Sequence, residues 1–165
     1  GVRVPFIVWG PGKIPAGKIE ATPLMTIDVL PTLAEWAGVE TLPTEIDGVS
    51  LAQLLAKQVP LPARPLYWHY PHYHPGGATP YSAIRDGDYR LVEFFEDDRV
   101  ELYNLKNDFS EKTDLASGEP KKTAELRQKL TDWRAKVGAQ LPTNNPDFDP
   151  AKDGKKQNKK AAAKQ

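Results

Sequence analysis

The sequence predicts an α+β chain: one strand and one helix from the end of a larger α/β domain, then a small subdomain. That subdomain is a sheet of about four antiparallel strands packed on a C-terminal helix. Three observations predict this. Val4 to Trp9 is a short, nearly continuous apolar run closed by Gly10-Pro11-Gly12, and a helical pattern follows it. Three runs rich in aromatic and aliphatic residues, 81–85, 89–95 and 100–105, are joined by short acidic turns. Finally, Leu126, Leu130, Trp133 and Val137 recur at steps of four, three and four, which is one apolar helical stripe.

Taken in order, the run Val4–Trp9 suits a strand buried on both faces of a parallel sheet. Residues 13–21 form a loop punctuated by Gly and Pro. Thr26 to Gly38 reads as a helix, with Thr26 or Asp28 as cap, Pro31 in the first turn and Gly38 as the left-handed stop. Its expected buried face carries Ile27, Leu30, Leu33 or Ala34, and Ala37. Asp47-Gly48 is a turn, and Ser50 is positioned to cap a short helix over 51–56. Three prolines between Val59 and Pro65 exclude a helix there, so a subdomain boundary is expected near residue 60.

The next stretch, Tyr67-Trp68-His69-Tyr70-Pro71-His72-Tyr73-His74-Pro75-Gly76-Gly77, holds all three histidines of the protein. Leu66 to Tyr70 can supply a fourth strand, and the remainder is a loop held by strands at both ends, where binding residues are usually placed. Asp86-Gly87-Asp88 is a strong hairpin signal. The last helix is expected over 123–137, lying across the sheet, and the Lys-rich segment 141–165 is expected to be a disordered tail. The domain reading is therefore 1–60, 61–140 and 141–165.

Composition narrows the function. With 22 basic and 22 acidic residues and no basic face outside the tail, nucleic acid is not an expected partner. No apolar run approaches membrane-spanning length, so no membrane partner is expected. The absence of cysteine excludes a disulfide or a thiolate within these residues. Without an initiator Met or a signal peptide at its start, the chain is read as the C-terminal part of a longer protein.

Histidines His69, His72 and His74, with Asp86 and Asp88 nearby, offer nitrogen and oxygen ligands, but spacing alone does not make a metal site. Ser50 and Ser82 lie in no Gly-x-Ser-x-Gly elbow. The acid pairs Asp86/Asp88 and Asp97/Asp98 fall in turns, where Asp bonds its own backbone. Arg3 and Arg85 are fixed positive charges near strand ends, suited to bidentate recognition of sulfate, phosphate or carboxylate, or to structural ion pairs.

Several segments together resemble one family. Gly1-Val2-Arg3-Val4-Pro5, Asp28-Val29-Leu30-Pro31-Thr32-Leu33, Asp47-Gly48-Val49-Ser50-Leu51, Trp68-His69-Tyr70-Pro71-His72-Tyr73, Ser82-Ala83-Ile84-Arg85 and Glu101-Leu102-Tyr103-Asn104-Leu105 occur in that order. They resemble the C-terminal portion of type I, arylsulfatase-like sulfatases of the alkaline phosphatase superfamily. The resemblance implies a sulfuric ester hydrolase, acting on a sulfated small molecule or glycan through a formylglycine nucleophile and a calcium ion held by oxygen ligands. It also implies that both are formed or bound upstream of these residues. On that reading the catalytic set and the metal ligands within this chain are none, and these residues alone are inactive.

The same resemblance makes His69, His72, His74 and Arg85 the substrate-binding candidates, the upstream α/β domain the intramolecular partner, and the periplasm or the outside of the cell the expected location. Two alternatives stand beside it. One is a related phosphodiesterase or phosphonate hydrolase; the other is a non-catalytic carbohydrate-binding module using the aromatics of Tyr67 to Tyr73, ahead of a purely structural subdomain.

Overall fold

A computed structural model describes residues 4–42, 45–143 and 145–147. The chain divides into two units, residues 1–66 and residues 67–165. The expected tail lies, from residue 148 onward, outside the described residues, as does Arg3.

In the first unit, a single 3-10 turn, Thr26–Asp28, leads into helix α1, Val29–Ala37. Pro31 falls in the first turn of α1, and Gly38 closes it at φ 71°, a left-handed conformation that costs glycine nothing. Helix α2, Ala52–Lys57, packs on α1. Its cap position is Leu51, but the Ser50 hydroxyl still accepts the Ala52 N–H at 3.2 Å and also donates to Glu35.

Asp28 occupies the N-cap position of α1, but contrary to expectation neither it nor Thr26 makes a side-chain capping bond to the helix. The fully buried Asp28 carboxylate accepts the Met25 N–H at 2.8 Å and the Val49 N–H at 3.0 Å, and pairs with Arg64. Thr32 Oγ1 donates to the Asp28 carbonyl at 2.6 Å and accepts the Leu51 N–H at 2.8 Å. These bonds tie the 47–51 turn to the start of α1 so closely that a Cβ on Gly48 would lie 2.0 Å from the Ile27 carbonyl oxygen. Only glycine fits there.

Two expectations fail in this unit. Ile27, Leu30 and Leu33 are not the buried face of α1; they are 42%, 56% and 55% exposed, while Pro31, Thr32 and Ala34 are buried. The side bearing Asp28 and Thr32 won because it satisfies the backbone of the neighbouring turn, and an unpaired buried N–H is costly. Residues 4–9 form no strand, and Ile7 and Trp9 are 89% and 84% exposed. A strand buried on both faces needs flanking strands, and among the described residues no strand pairs with this run.

The second unit is the α+β subdomain. Strands β1 (Leu66–Tyr70), β2 (Tyr81–Asp86), β3 (Tyr89–Phe94) and β4 (Val100–Asn104) form one antiparallel sheet in the order β1-β2-β3-β4. Gly87 at φ 59° makes the two-residue hairpin between β2 and β3, which sets Asp86 opposite Tyr89. That register aligns Ile84 with Leu91, and Leu91 with Leu102. All three are fully buried, with Leu126 and Leu130 of helix α3 (Pro120–Lys136) completing the core.

Each core leucine contributes roughly 1.5–3 kcal/mol by burial before entropy is counted. Trp133 adds a parallel stack on Tyr67, with ring centroids 4.7 Å apart. Val137 does not join the stripe: the helix ends at Lys136, and Val137 is 44% exposed. Pro120 starts the helix three residues earlier than the apolar pattern alone indicates, in the first turn where proline is pre-organised.

The outer edge of β4 is protected. The Leu102 N–H donates to Asp114 at 2.9 Å, and the Leu102 carbonyl accepts the Leu115 N–H at 2.8 Å. The loop thereby satisfies backbone groups that an open edge would offer to another strand.

Candidate functional site

The four candidate residues sit on or beside β1 and β2. In a strand, residues two apart share a face, so Tyr67 and His69 point with Ser82, Ile84, Leu91 and Glu93 toward α3. Tyr70, Tyr81, Arg85 and Phe94 point the other way.

His69 is held at both ring nitrogens. Nδ1 lies 2.7 Å from Ser82 Oγ, and Nε2 lies 2.9 Å from the Gln140 carbonyl. A carbonyl only accepts, so Nε2 carries a proton and donates to it; the Ser82 hydroxyl then donates to Nδ1 in the neutral ring. The Phe95 ring packs edge-on at 5.8 Å. The Ser82–His69–carbonyl series has the members of a nucleophile relay, but Ser82 is completely buried and no substrate reaches its oxygen. In this structure the imidazole fastens the segment following α3 to the sheet.

His72 and His74 belong to the loop between β1 and β2, and both are exposed. The loop folds on itself: the His74 N–H donates to the Ala78 carbonyl, the Gly77 N–H to the His74 carbonyl and the Gly76 N–H to His74 Nδ1, each at 2.9 Å. Gly77, at φ 96°, takes a conformation that side chains resist. The Tyr70 ring lies between the two imidazoles, with centroids 5.7 Å from His72 and 6.4 Å from His74. The Tyr73 phenol is pushed above its ordinary value, first by desolvation and then by the charge of Glu96, which it hydrogen-bonds.

Arg85 lies near the opposite end of β2, four residues from Tyr81 and thus about 13 Å along the strand. Its Nε donates to the Gly87 carbonyl at 3.4 Å. The four candidates therefore do not converge. His72 and His74 meet around Tyr70, His69 faces the helix, and Arg85 stands at the hairpin end.

Other polar groups are occupied structurally. Asp86 pairs with Lys129 at 2.8 Å and Asp97 with Arg99 at 3.3 Å. Buried Glu93 receives the Nε and Nη2 of Arg127 at 3.0 and 2.8 Å, and Arg134 at 2.7 Å. Sequence reasoning singled out neither this triad nor Arg64; the partners lie 34, 36 or more residues apart, and no spacing rule connects them.

Among the described residues no three His, Asp or Glu side chains gather to hold a metal ion. The sequence has no cysteine and no Ser-x-Pro/Ala-x-Arg motif, so these residues do not fit a formylglycine–calcium centre. No helix of the described residues is long and apolar enough to cross a membrane.

Comparison with known proteins accounts for this arrangement. A family model described as "N-sulphoglucosamine sulphohydrolase, C-terminal" matches residues 1–137. A sulfatase of Formosa agariphila is 40% identical over 158 residues, covering 88% of this chain and 28% of that protein. An N-acetylglucosamine-6-O-sulfatase of Bacteroides thetaiotaomicron is 32% identical over 152 residues, covering 88% of this chain and 26% of its own length. The chain thus spans about a quarter of the length of these relatives.

Among solved structures, BT4656 in complex with its substrate D-glucosamine-2-N,6-O-disulfate superposes with a TM-score of 0.56 at 32% identity. That match covers 66% of this chain and 23% of the other. An ordered match over most of the chain, joined to a sheet and helix of the same architecture, fixes the family: the chain belongs to the N-sulphoglucosamine sulphohydrolase C-terminal family, within the sulfatases of the alkaline phosphatase superfamily.

Proposed function

We propose that this chain is the C-terminal part of a sulfatase that hydrolyses sulfate esters of a sulfated carbohydrate, with the His72–His74 loop forming one wall of the substrate pocket. The observation that carries the reading is the continuous family match over residues 1–137. Relatives at 40% and 32% identity are sulfatases, one of them an N-acetylglucosamine-6-O-sulfatase. In this reading residues 1–60 end the α/β domain and 61–140 form the subdomain, while nucleophile and calcium belong to the preceding part of the protein.

The chemistry of the loop supports that role. Two exposed imidazoles on a self-bonded loop offer N–H donors to sulfate or sugar hydroxyl oxygens, with little backbone freedom to lose on binding. Arg85 and His69 belong to the same proposal at one remove. Arg85 is a donor on the same sheet face, and His69 secures the strand from which the loop springs.

The test uses the complete protein, assayed for sulfate release from a panel of sulfated sugars that includes N-acetylglucosamine 6-O-sulfate. His72→Ala and His74→Ala should raise KM roughly tenfold or more, the loss of one charge-assisted hydrogen bond. A location in the periplasm or outside the cell is part of the proposal and is read by fractionating the cells. Absence of sulfate release across the panel, with phosphate esters hydrolysed instead, would overturn the reading.

A further inference from the structure

Beyond the two loop histidines, we propose that Tyr70, Tyr81 and Phe94 form a glycan-stacking subsite for an unsulfated sugar unit adjoining the sulfated one. The proposal rests on the sulfatase reading above and names a part of the substrate that reading leaves open.

The three rings come from three successive strands, at the end of the sheet that carries the histidine loop. All lie on the face turned away from α3. Tyr81 and Phe94 are direct cross-strand partners, with centroids 6.4 Å apart and ring planes inclined at 45°. Tyr70 continues the row 6.1 Å from Tyr81, inclined at 41°. Each ring is partly exposed, unlike the residues of the core between the sheet and α3. The same face buries Leu66, Ala83 and Val92 along its middle, while the three rings at its end stay partly open.

The ends of the row select its occupant. At one end the Arg99 guanidinium covers Phe94 at 3.9 Å from the ring centre. Arg99 also pairs with both Asp97 and Glu101, so its charge is already balanced. A polyanion lying along the whole row would meet two carboxylates and no unmatched cation at that end. A lipid chain would meet three charged groups there. At the other end His72 and His74 flank Tyr70 and supply donors for an anionic group.

A carbohydrate sulfated at one position matches both ends: its sulfated unit by the imidazoles, its neutral neighbour on Tyr81, beside the Phe94 ring that Arg99 covers. Two of the three rings also bear a phenol hydroxyl, able to donate to and accept from sugar hydroxyls. Aromatic rings of this kind combine apolar area with a polar handle and have few rotamers to fix.

The test uses the complete protein and three probes: N-acetylglucosamine 6-O-sulfate, a tetrasaccharide carrying that sugar at its non-reducing end, and the same tetrasaccharide desulfated. Tyr81→Ala should weaken calorimetric binding of the desulfated tetrasaccharide roughly two- to tenfold. It should raise KM for the sulfated tetrasaccharide by a similar factor and leave kcat and the monosaccharide unchanged. Tyr81→Phe should retain most of the binding. Phe94→Leu, a smaller change, replaces Tyr81→Ala if thermal unfolding shows the alanine variant misfolded.

No binding of the desulfated tetrasaccharide by the wild type, or equal losses on short and long substrates, would overturn the subsite. Binding that Tyr81→Ala abolishes, without sulfate release from any probe, would sustain the stacking row and refute the sulfatase reading.

Discussion

Asp28→Asn tests the interaction that organises the first unit. The carboxylate is wholly buried and takes three donors: the Met25 and Val49 N–H groups and the Arg64 guanidinium. Asparagine is nearly isosteric, but its amide keeps one acceptor oxygen and turns a donor toward the remaining partners. One N–H donor is left unsatisfied, at about 1–3 kcal/mol, and Arg64 loses its counter-charge.

Arg64 retains 19% side-chain exposure, so water recovers part of that second loss. The expected cost is about 3–5 kcal/mol, the range for breaking a buried pair from one side. Arg64→Met should cost a comparable amount, about 3–5 kcal/mol, because it leaves a wholly buried carboxylate without its counter-charge even though both backbone donors remain. The double variant should be markedly sub-additive.

Guanidinium unfolding measures the totals. Hydrogen exchange followed by mass spectrometry on peptides 24–36 and 45–56 locates them, since the Val49 amide loses its acceptor. Wild-type exchange in both peptides, with a stability change under about 0.5 kcal/mol, the scale of an ordinary surface substitution, would refute the reasoning.

Gly48→Ala should be more damaging than any surface change, because its Cβ would meet backbone at 2.0 Å; soluble yield and exchange in peptide 45–56 would report it. Leu130→Ala empties a fully buried position and should destabilise the second unit by about 2–5 kcal/mol, read by loss of Trp133 fluorescence cooperativity during unfolding. The Glu125 carboxyl is held down to about 2 by hydrogen bonds from Lys122 and then Lys129. A depressed carboxyl contributes above its unfolded value of 4.5 and loses that contribution as pH falls toward 2. An NMR titration should therefore show Glu125 changing charge only near the bottom of that window, and Lys129→Met should move the transition upward.

The subdomain was legible in the sequence because its determinants are local. Asp86-Gly87-Asp88 dictates a hairpin, alternation dictates which of Ile84 and Arg85 faces the core, and Leu126, Leu130 and Trp133 dictate the inner side of α3. The first unit misled for a physical reason. Ile27, Leu30 and Leu33 look like a buried stripe, yet α1 turns Asp28 and Thr32 inward, since two polar side chains satisfy the backbone of a turn about twenty residues away.

No periodicity exposes such a bond. Likewise Val4–Trp9 has the composition of a strand, but a strand is a property of pairs, and pairing depends on residues other than its own. Of the candidate site, the histidine loop was visible through its composition. The Tyr70–Tyr81–Phe94 row was not, because it assembles across three strands and appears only once their register is known.

The two-sided grip on His69 sorts the histidines by chemical reactivity. An acylating reagent such as diethyl pyrocarbonate attacks an imidazole lone pair, and in His69 that lone pair is occupied by Ser82 while the other nitrogen is turned to Gln140. His72 and His74 are open to solvent, and of the two His72 should react faster, because the His74 Nδ1 lone pair accepts the Gly76 N–H. Mild labelling of the complete protein therefore acts as a selective stain for one loop among the three histidines of this segment. Modification appearing at His69 would mark molecules in which the chain beyond α3 has come away from the sheet, giving a readout of local opening that needs no substitution at all.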